Sequence, residues 1–183
     1  MNYDSFSHGQ VKSKIWLCEQ LEQHIPKNAN VKILGSWYNI LAFLLLARRP
    51  THYKLIEGID IDIEAKEIAD KICNAWVVDE NIVRNINVHV NDTLYHDTQI
   101  VINCSPEHME DSAWFNKIPY GTTICIQTSN VVDPNEPWLI KTPHKTLEDT
   151  ISKYPLTITH FTGTLRIQYN DWGYDRYMII GIK

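Results

Sequence analysis

Val31-Lys-Ile-Leu-Gly-Ser-Trp-Tyr-Asn39, followed by Leu55-Ile-Glu-Gly-Ile-Asp-Ile-Asp62, carries the decisive pattern of this chain. In each stretch a short apolar run stops at a feature with a geometric use, a glycine in the first and a carboxylate in the second. Between them Ile40-Leu-Ala-Phe-Leu-Leu-Leu-Ala47 is a core helix, and Arg48-Arg49-Pro50 stops it. Strand, glycine turn, crossover helix and second strand make the opening of a nucleotide-binding α/β unit. Gly35 is then the turn, and Asp60 is the carboxylate at the strand end where ribose hydroxyls bind.

Working outward, the 183 residues are 44% hydrophobic, enough for one domain with a real core and too few for a second catalytic domain. No apolar run reaches the roughly 18–20 residues that span a bilayer. Met1-Asn-Tyr-Asp-Ser-Phe-Ser-His8 lacks the basic start and apolar stretch of a secretory signal, so a cytoplasmic address is expected. Cys18, Cys73, Cys104 and Cys125 have no paired spacing that closes a zinc site or a disulfide framework; reduced, mostly buried thiols and no metal are expected. Net charge is −5 and the basic residues form no dense cluster, which argues against a bulk nucleic-acid platform.

Helical spacing of Val11, Ile15, Cys18, Leu21 and Ile25 predicts a first helix over Gln10 to Ile25, within an N-terminal cap over residues 1–30. Strands are predicted at Val31 to Leu34, Tyr53 to Asp60, Asn85 to Val90, Gln99 to Asn103 and Thr123 to Gln127. Gln99 to Asn103 is nearly all apolar, as a central strand buried on both faces is. Asp62 is placed to cap a helix over Ile63 to Cys73. Pro134 to Pro143 is loop-like, Thr146 to Tyr154 a helix, and Leu156 to Gln168 with Arg176 to Ile182 an antiparallel hairpin.

A mostly parallel seven-stranded sheet with helices on both faces, finished by a C-terminal antiparallel hairpin, is the plan of the class I S-adenosylmethionine-dependent methyltransferases. The chain resembles that Rossmann-like family from about Val31 to its C-terminus. The resemblance implies a cofactor, S-adenosylmethionine, held by Gly35, Ser36, Trp37 and Tyr38 of the turn. It implies Asp60 on the ribose with Ile61 beside it, and Asp92 near the adenine. It places Asn103 to His108 at the acceptor, and a methyltransferase acting on a small or partner-presented acceptor as the function. The pattern departs from the family at Gly35-Ser-Trp-Tyr38, which has one glycine where two or three are usual. That departure tells more strongly against a nicotinamide dinucleotide, whose pyrophosphate needs close backbone approach.

Each of these residues also has a plainer use. Trp37 and Tyr38 serve either as core packing or as aromatic faces for a sulfonium. Asp60 could cap a helix, although Asp62 is better placed; Asp92 could be a turn aspartate in Asn91-Asp-Thr. Asn103-Cys-Ser-Pro-Glu-His108 only loosely resembles the Asn-Pro-Pro-aromatic loop of amine methyltransferases, which argues against nitrogen methylation of a nucleobase. Glu107 or His108 could supply a base where the acceptor arrives protonated. Gln10, Ser13 and Lys14 read as a solvated helix face, with closure over the pocket as the other use. Gln127-Thr-Ser-Asn130 either orients an acceptor or makes a turn. Tyr169, Trp172 and Tyr174 read as an exposed oligomer or partner surface, or as an ordinary hairpin tip. A non-catalytic S-adenosylmethionine-binding protein of the same fold is the alternative function.

Overall fold

The computed structural model describes residues 3–79, 81–131 and 139–183. Seven strands form one sheet: β1 (Ala29–Leu34), β2 (Tyr53–Asp60), β3 (Val83–Asn87), β4 (Ile100–Asn103), β5 (Thr123–Ser129), β6 (Ile158–Gln168) and β7 (Gly173–Ile182). Their spatial order is β3-β2-β1-β4-β5-β7-β6. The first five are parallel, while β7 runs antiparallel between β5 and β6. Strand order reverses between β1 and β4, which makes the carboxyl ends of these two strands the topological switch point.

Alternation along the strands sorts the core into two layers. Val31, Ile33, Ile100 and Ile102 meet α1 (His8–Leu21) and α2 (Ile40–Arg48) through Leu17, Leu21, Leu41 and Leu45. Leu34, Val101, Ile124 and Ile126 face the other way, onto Trp114 and Phe115 of α4 (Ala113–Lys117) and onto Tyr154 after α5 (Leu147–Lys153). β4 is buried at every position, as its unbroken apolar run requires. Asp62 caps α3 (Ile63–Ile72), its carboxylate accepting from the amides of Glu64 at 2.9 Å and Ala65 at 3.2 Å. The Lys183 ammonium closes the end of α4, donating to the carbonyls of Phe115, Asn116 and Ile118.

Several boundaries differ from the sequence expectation: β1 starts at Ala29, β3 at Val83, β6 at Ile158 and α1 at His8, and β5 runs on to Ser129. β3 ends at Asn87 rather than Val90, because its partner β2 ends at Asp60, opposite Asn87, and no backbone remains to pair with. α1 stops at Leu21 and tightens into a 3-10 turn over Glu22–His24. β7 starts at Gly173, three residues before Arg176, and pairs with β6 along its whole length. Of the loop expected over Pro134 to Pro143, residues 134–138 lie outside the described residues, as do Met1 and Asn2. No helix among the described residues is long and apolar enough to cross a membrane.

Candidate functional site

The turn after β1 is built on left-handed backbone. Gly35, Trp37 and Asn39 have φ of 60°, 48° and 51°. Gly35 is required twice over: its φ is costly for other residues, and an added Cβ would lie 2.5 Å from the Ser105 hydroxyl oxygen. Trp37 tolerates its strained φ because the Asp60 carboxylate accepts the Trp37 amide at 2.7 Å. The other oxygen of Asp60 accepts the Asp62 amide at 3.0 Å. Asp60 thus ties the end of β2 to the turn after β1, and a carboxylate accepting one bond per oxygen keeps lone pairs for further donors. The rings of Trp37 and Tyr38 stack 4.6 Å apart, with Tyr38 buried beside Ile40 and Ala65, so its ring belongs to the core.

Beyond this brace the edge is open. Ser36 donates its amide to the Ile59 carbonyl at 3.0 Å. Ile61, directly after Asp60, is 68% exposed, and Leu94 is similarly bare. Asn87 holds the end of β3 to this corner, donating to the carbonyls of Asp60 and Ile61. Asp92 closes a 3-10 turn over Val90–Asp92 and is exposed.

On the β4 side the loop 103–108 is organised inward. Asn103 is fully buried and its amide serves the turn: the oxygen accepts the Ser105 amide at 3.1 Å and the nitrogen contacts the Met109 sulfur at 3.3 Å. Glu107 is 2% exposed. One of its carboxylate oxygens accepts the Ser129 hydroxyl at 3.0 Å and lies 3.6 Å from the guanidinium of Arg176, itself 6% exposed. Reversal of β7 explains this meeting: its start lies at the carboxyl edge, with Arg176 opposite Ser129 in register. The backbone carbonyl of Glu107 accepts the amides of Lys141 and Thr142, clamping the loop from outside. His108 points away, its ring nitrogen 2.9 Å from the Leu139 carbonyl, and is exposed.

α1 covers this half. Gln127, buried within β5 rather than in a turn, donates to the Ser13 carbonyl at 3.0 Å. Ser13 is buried and Lys14 partly so, which overturns the reading of Ser13 and Lys14 as a solvated face. Burial pulls the Lys14 ammonium down to about 8, with Arg176 adding to the effect and Cys104 and Asp4 opposing it. Burial pushes the Cys104 thiol up to about 11, against the nearby charges of Lys14 and Arg176. The hairpin aromatics are partly redeployed in the same packing. Tyr174 is buried, Tyr169 accepts the Gly9 amide at 3.2 Å, and Trp172 stays 54% exposed. Among the described residues no cluster of His, Cys, Asp or Glu could hold a metal ion.

The sequence-predicted residues therefore fall into two groups: Gly35, Ser36, Trp37, Asp60, Ile61 and Asp92 on one side of the switch point, Asn103, Glu107 and His108 on the other. Arg176 and Ser129 escaped the sequence reading as partners of Glu107. A lone arginine beginning the apolar run Tyr177-Met-Ile-Ile was the available signal for the first.

No protein-family model matches the sequence, and no curated protein matches it at a significant level. Solved structures do. The MccD protein superposes with a TM-score of 0.72 at 12% identity, over 92% of this chain and 97% of its own. N-methyltransferase NodS from Bradyrhizobium japonicum WM9 gives 0.69 at 11% identity, over 95% of this chain and 97% of its own. The chain has the class I methyltransferase fold. A geranyl diphosphate methyltransferase in complex with S-adenosylmethionine gives 0.69 at 11% identity, over 94% of this chain and 85% of its own.

Proposed function

We propose that this chain is an S-adenosylmethionine-dependent methyltransferase acting on a small or partner-presented acceptor. The observation that carries the reading is Asp60, placed at the carboxyl end of β2 and bonded at 2.7 Å to the glycine turn after β1. A nucleoside needs a carboxylate at the strand end beside the glycine turn, and Asp60 stands there. The residues fit the group. Asp60 retains lone pairs for ribose hydroxyls, the bare side chains of Ile61 and Leu94 offer apolar surface to adenine, and Asp92 is exposed for its polar edge. A single glycine suffices because the cofactor carries no phosphate, and the Asp60 brace holds Trp37 in the conformation a second glycine would adopt.

When bound, the cofactor supplies an electrophilic methyl group on sulfur. The chain's part is to align the acceptor and exclude water. Gly35 and Ser105 meet at the switch point, the Ser105 hydroxyl donating to the Gly35 carbonyl at 3.3 Å, and these two would flank the methionine portion of the cofactor. Asn103 shapes that loop. Glu107 faces the acceptor side, and His108, at the outer rim, is the candidate to receive a proton.

A non-catalytic binding protein of this fold draws on one observation: Glu107, a candidate base, is already engaged by Ser129 and Arg176. Calorimetric titration with S-adenosylmethionine, S-adenosylhomocysteine and NAD tests the cofactor, with Asp60→Ala as control. Binding of the first two, lost in the variant, is expected; binding of NAD alone, or of none, contradicts it. Transfer of a labelled methyl group to any acceptor would dispose of the non-catalytic reading.

A further inference from the structure

The two outer strands of the sheet are guarded very differently. β3 is five residues long and carries Arg84, a short charged edge of the kind that discourages pairing with other chains. β6, at the other edge, runs for eleven residues, and among the described residues it pairs only with β7. It contains no proline, and its bulge falls near its start, between Thr159 and Phe161. Its one arginine, Arg166, is turned onto Asp175 of β7 at 3.2 Å. From Phe161 to Gln168 an unbulged row of backbone groups therefore faces outward, a template on which another strand can be added.

Beside this edge α1 keeps a second apolar stripe out of the core. Leu17, Cys18 and Leu21 are buried against the sheet. Val11, Ile15 and Trp16 of the same helix stay half-buried, and with Phe6 and Leu165 they line a groove of about 510 Å³. Lys12 and Glu19 line it too, about two turns apart on one face. Both are exposed, and neither is in an ion pair among the described residues. The middle of α1 lies over the middle of β6: a Cβ added to Gly163 would lie 3.2 Å from the Trp16 ring, and the rings of Trp16 and Phe161 pack edge to face with centroids 6.0 Å apart.

We infer that this face binds a second copy of the chain, β6 pairing antiparallel with its counterpart about a two-fold axis at Gly163 and the two α1 helices closing the groove. Self-complementarity selects this occupant. Pairing about Gly163 sets Phe161 opposite Leu165 on the α1 face and Thr162 opposite Thr164 on the other. Arg166, already neutralised by Asp175, falls opposite the bulge at His160. Because Trp16 lies over Gly163, the same axis passes midway between Lys12 and Glu19, and it brings each lysine to the glutamate of the other helix. The added strand supplies backbone hydrogen bonds, and the groove supplies the apolar area that an edge alone lacks. In such a dimer the two candidate sites open on opposite edges of one continuous sheet. The inference is independent of the cofactor.

Light scattering and sedimentation equilibrium of the full chain over a series of concentrations test it. A dimer with a micromolar or tighter Kd is expected. Thr162→Lys combined with Thr164→Lys sets like charges directly opposite at exposed positions, and should give monomers whose circular dichroism matches that of the parent. Lys12→Glu or Glu19→Lys alone turns two attractive contacts repulsive and should raise the Kd about tenfold. The two together should restore it, because the swapped charges are again complementary. Trp172→Ala at the hairpin tip should leave the dimer unchanged. Monomers at every concentration, open-ended assemblies larger than a dimer, a dimer that survives the paired lysines, or failure of the charge swap to restore affinity would overturn the inference. So would a dimer lost in Trp172→Ala, which would put the contact at the hairpin tip.

Discussion

The two halves of the sheet's carboxyl edge solve opposite problems. Over β1 and β2 the chain leaves a partly exposed turn and one carboxylate at the edge, and Asp60 holds the turn through Trp37, 23 residues away along the sequence. Over β4, β5 and β7 it buries charge, bringing Glu107, Ser129 and Arg176 together beneath α1. The first half is held by local spacing, with Ile61 and Leu94 bare beside it; the second is closed by side chains brought together from distant parts of the chain.

Substitutions should separate the halves by size of effect. Glu107→Ala strands a buried guanidinium and is expected to cost about 3–5 kcal/mol in urea unfolding. A loss no greater than that of a surface mutation would mean that the charges are solvated. Gly35→Ala meets both a positive φ and the Ser105 hydroxyl, so about 1–3 kcal/mol should be lost, together with S-adenosylhomocysteine affinity. Unaltered stability would show the turn to be relaxed. Asp60→Ala removes two amide partners from an edge that water can reach, and about 1–2 kcal/mol is expected. An effect as large as that of Glu107→Ala would erase the distinction between the halves.

The smallest effect at neutral pH concerns the scaffold behind the buried half. His144 is buried with its Nδ1 3.2 Å from the Thr150 hydroxyl, which in turn is 2.7 Å from Thr128 of β5. Burial, helped by Lys153, lowers this imidazole from 6.5 to about 4. Between those values the unfolded chain binds a proton that the folded chain refuses, so stability should fall as pH drops through the window. Urea midpoints measured from pH 7 downward should fall less steeply for His144→Gln; parallel curves would place a charged or exposed imidazole there.

How much of this was readable from the residues follows the same division. The mostly parallel sheet with its closing hairpin, the Gly35 turn, the place of Asp60 at a strand end and the Asp62 cap depend on local spacing and on the alternation of strand and helix, so they were legible in the sequence. Lys14 looked like a solvated residue because the helix pattern shows which face is apolar but not what covers the polar one. The expected hairpin already reversed the last strand, but Arg176 could not be joined to Glu107 without the register that sets it opposite Ser129. Tyr174 read as an exposed tip residue for the same reason: only the packing of Gly9 against it reveals the burial. Asn103 was expected at the acceptor end, yet its amide is consumed by its own turn, a fact that the type of residue alone does not disclose.

The most direct test of a cofactor half distinct from an acceptor half is amide chemical-shift mapping of the isotope-labelled full chain as S-adenosylhomocysteine is added. The largest shifts should fall on Ser36 to Tyr38, Asp60 to Asp62 and Asn91 to Thr93. An unshifted spectrum, or shifts confined to Cys104 to Glu107 and Arg176, would contradict that division.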